Sequence, residues 1–386
     1  MMTNATGPET LATTERRSPA GAAGPERAVA HTILAIDPGS TSTKIALFSG
    51  RDQLASMTLR HASAESATFD GRLAAIVDWL ASQPGHTLDA VVGRGGLLRA
   101  IPSGTYAVCD TMLADLRAGV LGDHASNLGG QLARALADPR GVQALIVDPV
   151  ATDEFAPVAR VAGLADLERI SLVHALNVRA VARRDCAARG VRLDDAHLVV
   201  AHLGGGISIV AIESGRMVDA NNANEEGPFS PERTGSLPCG QLAELIHSGR
   251  LPNWASAKTF LHREGGVSAY LGTNDLVEVE RRIAAGDQAA AEVLDAMAYQ
   301  VAKAIGAYAT VLSGRVDAIL ITGGAAHSTI LTEAIIDRIG WIAPVRVHPG
   351  EDELTALAEG AGRVLAGEET PRDYASSIIT TDQEHA

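Results

Sequence analysis

The sequence predicts an α/β fold of two similar lobes with a cleft between them. Three observations lead there. Strand-like and helix-like stretches alternate along the chain. An apolar strand, a glycine-bearing turn and a second strand occur at ILAIDPGSTSTKIALFSG (33–50), and the pattern returns at AHLVVAHLGGGISIVAIESGRMVDANN (196–222). Finally, 386 residues are too many for one ordinary core, and 46% hydrophobic residues suffice to fill two.

Taken in order, residues 1–30 are rich in Ala, Thr, Glu and Pro and have no basic stretch leading into an apolar run. They read as a mobile tail, not a secretory signal. Ile33–Asp37 and Lys44–Ser49 then read as paired strands, with Pro38, Gly39 and the hydroxyl run from Ser40 to Thr43 as the bend. FDGRLAAIVDWLAS has helical apolar spacing, and the strand Ala90–Val92 precedes a Gly-rich loop that carries Arg94. A helix is expected over ASNLGGQLARALA, and a buried strand in VQALIVDPV ends at Asp148 and Pro149. Residues 172–189 resume helical periodicity until Gly190 stops them.

After the second strand-turn-strand pattern, one long helix is expected between Arg281 and Ser313, with Leu294, Met297, Val301, Ile305, Tyr308 and Leu312 along one face. VDAILITGGAAHSTILTEAIIDRIG reads as a buried strand, paired glycines and a helix. APVRVHPGEDELTALAEGAGRVLAG gives a short strand, an acidic turn and a terminal helix.

Composition excludes several classes. A net charge of −14 argues against nonspecific nucleic-acid or anionic-membrane binding, since both need basic surface. No apolar run approaches the ~20 residues that span a bilayer. Cys109, Cys186 and Cys239 lie far apart without CxxC spacing, which disfavours a disulfide or zinc framework and suggests a reducing cytosol. Lys44, Lys258 and Lys303 are the only lysines, so arginine must recognise most anions, and its planar guanidinium suits carboxylate and phosphate. Lys44, directed along its strand away from the turn, reads as structural.

GSTSTK lacks the spacing of a phosphate-binding P-loop, and no GxGxxG follows a strand. What remains is a set of three glycine turns, at Gly39, at Gly204–Gly206 and at Gly323–Gly324, each directly after an apolar strand. Any one alone is more often an ordinary turn. Together, IDPGSTSTK, HLGGGIS and LITGG stand in the order of the first phosphate, second phosphate and adenosine motifs of the sugar kinase, Hsp70 and actin superfamily. From about Thr32 to Leu365 the chain resembles the acetate kinase family, and within it the butyrate kinases. The match is carried by IDPGSTSTKIA, VGRGGLL, HASNLGG, VDPV, HALN, AHLGGGIS, DANNANEEGPFSPERTGSLP and ITGGAAHS.

The resemblance implies ribonuclease H-like lobes: an N-terminal lobe at 31–148, a C-terminal lobe at 149–351, and a terminal helix at 352–386 returning to the first. It implies ATP-dependent, reversible phosphorylation of a short-chain carboxylic acid, butyrate or a branched relative, to acyl phosphate and ADP. It also implies Mg2+ and a homo-oligomer. Gly39, Ser40, Thr41, His202, Gly204, Gly205, Gly206, Gly323 and Gly324 would bind nucleotide, and Asp37 and Glu353 would serve the metal. The resembling enzymes usually carry Asn where Asp37 stands, whereas related sugar kinases carry Asp. Glu351 or Asp352 could take the place of Glu353 in the match, and a run of three acids at a helix start also complements the helix dipole.

The chemistry agrees with a carboxylate acceptor. Its pKa is about 4 to 5, so it is ionised at neutral pH and needs no general base. It needs cations that bring two anions together and stabilise the transferring phosphoryl group. By the resemblance, Arg94 and Arg233 supply that charge, His174 hydrogen-bonds the phosphoryl group, His124 lies near the acyl site, and Asp148 positions magnesium or water. Arg94, Arg233, His174 and Asp148 have plainer alternatives, in that order a surface arginine, a loop salt bridge, a helix-start histidine bonded to backbone and a turn cap. Asn221, Asn222 and Asn224 are candidates to line the cleft, with no assigned role. Competing readings are an acetate or propionate kinase, a non-enzymatic nucleotide switch, and a sugar kinase, whose hydroxyl acceptor would call for a base.

Overall fold

Most strands in the first half of the chain are short runs of β-branched and apolar residues, and a more polar, largely exposed strand closes one edge of their sheet. β1 (Thr32–Pro38), β2 (Ser42–Ser49) and β3 (Asp52–Arg60) form an antiparallel meander, and β4 (Ala90–Arg94) and β6 (Gln143–Val147) add parallel strands beside β1. With β5 (Thr105–Ala107) antiparallel to β6, the sheet order is β3-β2-β1-β4-β6-β5. This is a computed structural model, and it describes residues 30–379 apart from 62–63 and 65–66. The tail expected at 1–30 lies almost wholly outside the described residues.

Helices α1 (Phe69–Ala81), α2 (Asp110–Ala118) and α3 (Asn127–Ala137) belong to this half, and Thr68 caps α1 by accepting from the Gly71 amide. Gly93 of β4 and Gly129 of α3 meet backbone to backbone; a Cβ on Gly93 would strike the Gly129 carbonyl, and one on Gly129 the Arg94 carbonyl. The helix is thereby seated directly against the end of the strand.

After the short α4 (Pro157–Arg160), α5 (Ala175–Ala188) leads into the second sheet. β7 (His197–Leu203), β8 (Ile207–Glu213) and β9 (Arg216–Ala220) repeat the antiparallel meander, and β10 (Ala318–Gly323) and β11 (Val345–Pro349) add the parallel strands, in the order β11-β10-β7-β8-β9. This order matches the β6-β4-β1-β2-β3 part of the first sheet. Between β9 and β10 lie α6 (Cys239–His247), α7 (Trp254–Arg263), α8 (Gly266–Leu271), α9 (Leu276–Ala284) and α10 (Gln288–Val311). α11 (Thr329–Ile339), α12 (Glu353–Leu365) and α13 (Tyr374–Ser377) complete the described chain.

The helix expected between Arg281 and Ser313 is two. Gly286, at φ +90°, ends the first, and the Asp287 side chain accepts from the Ala290 amide to restart the second. The expected face survives in α10: Leu294, Met297, Val301, Ile305 and Leu312 are buried and pack with Val199 and Ile319 of the sheet, and Tyr308 packs against them. The strand read at Ala90–Val92 extends to Arg94, so this arginine ends β4 and does not lie in the loop beyond it. α5 covers the other face of the second sheet. α12 covers β1, β4 and β6, with Leu357 and Ala361 against Ile33 and Val92.

Candidate functional site

The strand ends deliver the site. Arg94 ends β4, Asp148 follows β6, His174 stands at the N-cap of α5, His202 lies near the end of β7, and Glu353 is the first residue of α12. All five line one cavity, with Asn177 of α5 beside them.

One wall is charged. Arg94 donates from Nη1 to Asp37 Oδ1 at 3.1 Å and lies 3.6 Å from Glu353 Oε1. Burial opposes its charge, but Asp37 and Glu353 outweigh that and raise its pKa. Glu353 is pushed up to about 7, first by burial and then by its acidic neighbours Asp37 and Glu351, against the pull of Arg94. Asp148 is buried and adopts φ +36°, a left-handed conformation that short polar side chains tolerate best. Its Oδ1 accepts from the Gly104 amide at 2.7 Å, and Arg179 and Arg183 of α5 approach its carboxylate at 3.2 and 3.7 Å. Asp148 thus ties the end of the first sheet to α5.

The opposite wall is a pair of stacked imidazoles. The His174 and His202 rings lie 3.9 Å apart and 10° from parallel. His202 Nδ1 is 2.9 Å from Asn177 Oδ1, and Nε2 is 3.1 Å from Glu351 Oε1 without the alignment of a hydrogen bond. That imidazole is the chief reason the Glu351 carboxyl is held down at about 2. His174 Nδ1 is 2.9 Å from Ser208 Oγ. Burial, then His202, Arg94 and Arg233, drive the His174 pKa well below the ordinary histidine value, so the ring is neutral at neutral pH. The helix-start position is as expected, but the side chain does not cap the helix.

The second glycine turn is packed by the polar groups around it. A Cβ on Gly206 would stand 2.5 Å from Arg233 Nη1, one on Gly204 2.8 Å from Glu351 Oε1, and one on Gly205 3.2 Å from Glu232 Oε1. Arg233 does not line the cavity. It reaches the back of this turn, donating from Nη1 to the Ala223 carbonyl at 3.0 Å and to Asn224 Oδ1 at 2.7 Å, while its buried Nε has no partner. Of the asparagines expected in the cleft, Asn224 therefore holds Arg233, Asn221 braces β8 by accepting from the Ile209 amide, and Asn222 accepts from the Asn224 amide.

The first turn is more open. Ser40 and Thr41 are exposed, and Lys44, read as structural, is exposed directly across the ladder from Asp37. His124 is also exposed, with its ring on Ser126 Oγ at 2.8 Å; partial loss of solvent and then Arg94 lower its pKa. At the third turn Gly323, at φ +93°, would drive a Cβ into the Leu203 carbonyl, whereas a Cβ on Gly324 meets nothing. Among the described residues no group of three or more His, Cys, Asp and Glu could hold a metal ion by itself, and no helix is long and apolar enough to cross a membrane.

Several polar neighbours were not among the expected residues. Ser208, Asn177, Arg179 and Arg183 come together through packing; the signals in the sequence are the places of Asn177 in HALN and Ser208 in AHLGGGIS, and the one-turn spacing of Arg179 and Arg183 on a helix.

The Acetokinase family profile matches residues 173–384. A protein of Caldanaerobacter subterraneus subsp. tengcongensis described as probable butyrate kinase 2 is 48% identical over 351 residues, covering 89% of this chain and 99% of that one. The crystal structure of Porphyromonas gingivalis acetate kinase superposes with a TM-score of 0.73 at 20% identity, covering 86% of this chain and 99% of the other. A propionate kinase from Francisella tularensis gives 0.72 at 16%, covering 86% and 98%. The two sheets are thus those of the sugar kinase, Hsp70 and actin fold, and this chain belongs to the acetokinase family.

Proposed function

We propose that this chain is a carboxylate phosphotransferase that moves the γ-phosphoryl group of ATP to a short-chain fatty acid, butyrate or a branched relative, and runs in reverse to make ATP. The observation that carries the reading is the cavity where Arg94, pinned between Asp37 and Glu353, faces the neutral His174. The kinship to a protein described as a probable butyrate kinase directs the choice of acyl chain.

In this reading Arg94 binds the acyl carboxylate and brings it to the phosphoryl group. The acceptor is already ionised, so no side chain removes a proton. His174 donates a hydrogen bond to the phosphoryl oxygens, and Arg233, behind the Gly204–Gly206 turn, adds positive charge as the group transfers. His124 lies beside the acyl end. The turns Gly39–Thr41 and Gly204–Gly206 border the phosphates, with Gly39 and Gly204 closing them by donating to the Ser42 and Gly206 carbonyls; His202 lies beside the phosphates, and Gly323–Gly324 border the adenosine.

Magnesium fits the donor set. It prefers one or two carboxylates completed by water and phosphate, and Glu353, raised by burial and by the neighbouring Asp37, makes with it a pair of carboxyls that share one arginine. These two residues would hold it, with Asp148 orienting its waters, and the ion would neutralise phosphate charge. Glu351 is occupied with His202, which favours Glu353 over Glu351 for the metal.

We take 31–148 and 149–351 as the lobes, with 352–386 returning to the first; the separate sheets and the packing of α12 support this. Self-association is supported by the exposed Val158, Val161, Leu164, Leu167 and Ile170, and the chain is taken to work in the cytosol.

The test is kcat/KM for acetate, propionate, butyrate, isobutyrate and valerate at saturating Mg-ATP, trapping acyl phosphate with hydroxylamine. Two more buried methylenes at ~0.8 kcal/mol each favour butyrate over acetate by roughly tenfold. Acetate equal to butyrate would move the assignment to an acetate or propionate kinase, and no turnover with any acid would favour a nucleotide switch.

A further inference from the structure

A neutral imidazole carries one N–H, and whether His174 can donate to a phosphoryl group depends on which nitrogen holds it. The ladder places the answer next door. Ser208 of β8 is the register partner of His202, so its side chain shares the face on which His202 stacks against His174. Ser208 is fully buried.

Its hydroxyl has one proton to donate and two lone pairs. The His174 amide donates to Oγ at 3.4 Å, and the His174 Nδ1 lies 2.9 Å away. Among the described residues Ser208 Oγ has no other hydrogen-bond partner, so Nδ1 is the one acceptor for the hydroxyl proton. Were Nδ1 protonated instead, it would donate to Oγ, and the hydroxyl proton of Ser208 would be left buried without an acceptor, which folded proteins rarely permit.

We propose that Ser208 is a positioning residue: it donates to His174 Nδ1, fixes the proton on Nε2, and so presents His174 to the cavity as an uncharged hydrogen-bond donor. The catalytic part rests on the reading of His174 given above. The His202 stack holds the ring plane while Ser208 sets its tautomer. Nothing in the arrangement requires the histidine to be charged, so the donor remains available at neutral pH and above.

The experiment compares Ser208→Thr, which keeps the hydroxyl, with Ser208→Val, which has the same shape without it. Ser208→Val is expected to lower kcat about tenfold, the size of one ordinary hydrogen bond, with KM for ATP and butyrate within about twofold; Ser208→Thr is expected to restore most of kcat. Combined with His174→Ala, the Val substitution is expected to cost nothing further, because it acts through that ring. Ring 15N spectra of the ligand-free enzyme, with His174 assigned by its loss in His174→Gln, are expected to show Nε2–H in the wild type and a mixed population in Ser208→Val. An Nδ1–H wild type, an unchanged kcat in Ser208→Val, or an additive loss on His174→Ala would each overturn the proposal. A fully active His174→Ala would overturn the catalytic role of the histidine instead, and the spectra would still decide the tautomer.

Discussion

The turn between β1 and β2 and the turn between β7 and β8 are built on the same ladder and filled with opposite chemistry. In the first sheet Asp37 pairs across from Lys44, and in the second His202 pairs across from Ser208. The first turn works by charge: its aspartate is locked to Arg94, and Ser40 and Thr41 stand in solvent. The second works by space and hydrogen-bond direction, with three glycines giving room to Arg233, Glu232 and Glu351 and the Ser208 hydroxyl set against the His174 ring. A repeated backbone pattern therefore predicts repeated geometry, while each copy must be read residue by residue for what it does.

If the contrast is right, the largest effect comes from removing the cation behind the second turn. Arg233→Ala is expected to lower kcat by roughly a hundredfold to a thousandfold, as loss of one preorganised donor does, with much less change in KM for ATP. A mutant with near-normal kcat and only weaker binding would sink the role assigned to it.

The turns themselves come next. In Gly206→Ala the new methyl would stand 2.5 Å from Arg233 Nη1, whereas in Gly39→Ala it would stand 3.2 Å from the Ser42 carbonyl. Displacing a reacting group by about 1 Å can cost up to ~100-fold, so steady-state kinetics should show the Gly206 variant far more impaired than the Gly39 variant. Equal losses would mean that the two turns are equally tight.

The charge around the first turn has a pH signature. Glu353 titrates near 7 in the folded chain, against an unfolded value near 4.3, so between those values the native state holds a proton that the unfolded state has lost. Stability is therefore expected to fall as pH rises through that window, and Glu353→Gln to relieve the fall by on the order of 1–3 kcal/mol at pH 8 while changing little at pH 4. Urea unfolding of the magnesium-free proteins at the two pH values measures the difference; identical curves at pH 8 would refute it.

The smallest effect is expected from Asp37→Asn, which keeps shape and hydrogen bonding. Turnover should stay within about tenfold of the wild type, less than one lost charge-assisted hydrogen bond. It should also lower the Glu353 pKa by removing an acidic neighbour, which the same unfolding series would report as a shallower pH dependence.

The glycine turns were legible in the sequence because turn chemistry is local: a strand period interrupted by glycine has few other meanings. The break at Gly286 was not, since both flanks keep helical spacing and one glycine is tolerated inside many helices. Arg94, Asp148, His174, His202 and Glu353 could be named from motifs, and they line one cavity. The division of labour between Glu351 and Glu353 could not. It depends on which carboxylate meets His202 and which meets Arg94, a matter of side-chain direction at the mouth of α12. Ser208 and Asn177 stand inside AHLGGGIS and HALN, but their contacts were hidden for the same reason: neither residue type is unusual, and their part in the site arises only where a strand and a helix converge on two rings.

Where β4 meets α3, the contact between Gly93 and Gly129 has a consequence for how this chain can change. Either glycine, replaced alone by alanine, collides with backbone and not with a side chain that could swing aside, and replacing both makes two collisions. No one-step path leads away from this pair without lifting α3 off the sheet and carrying Arg94 with it, so sequence drift is walled off here by geometry and must run through the exposed positions around it.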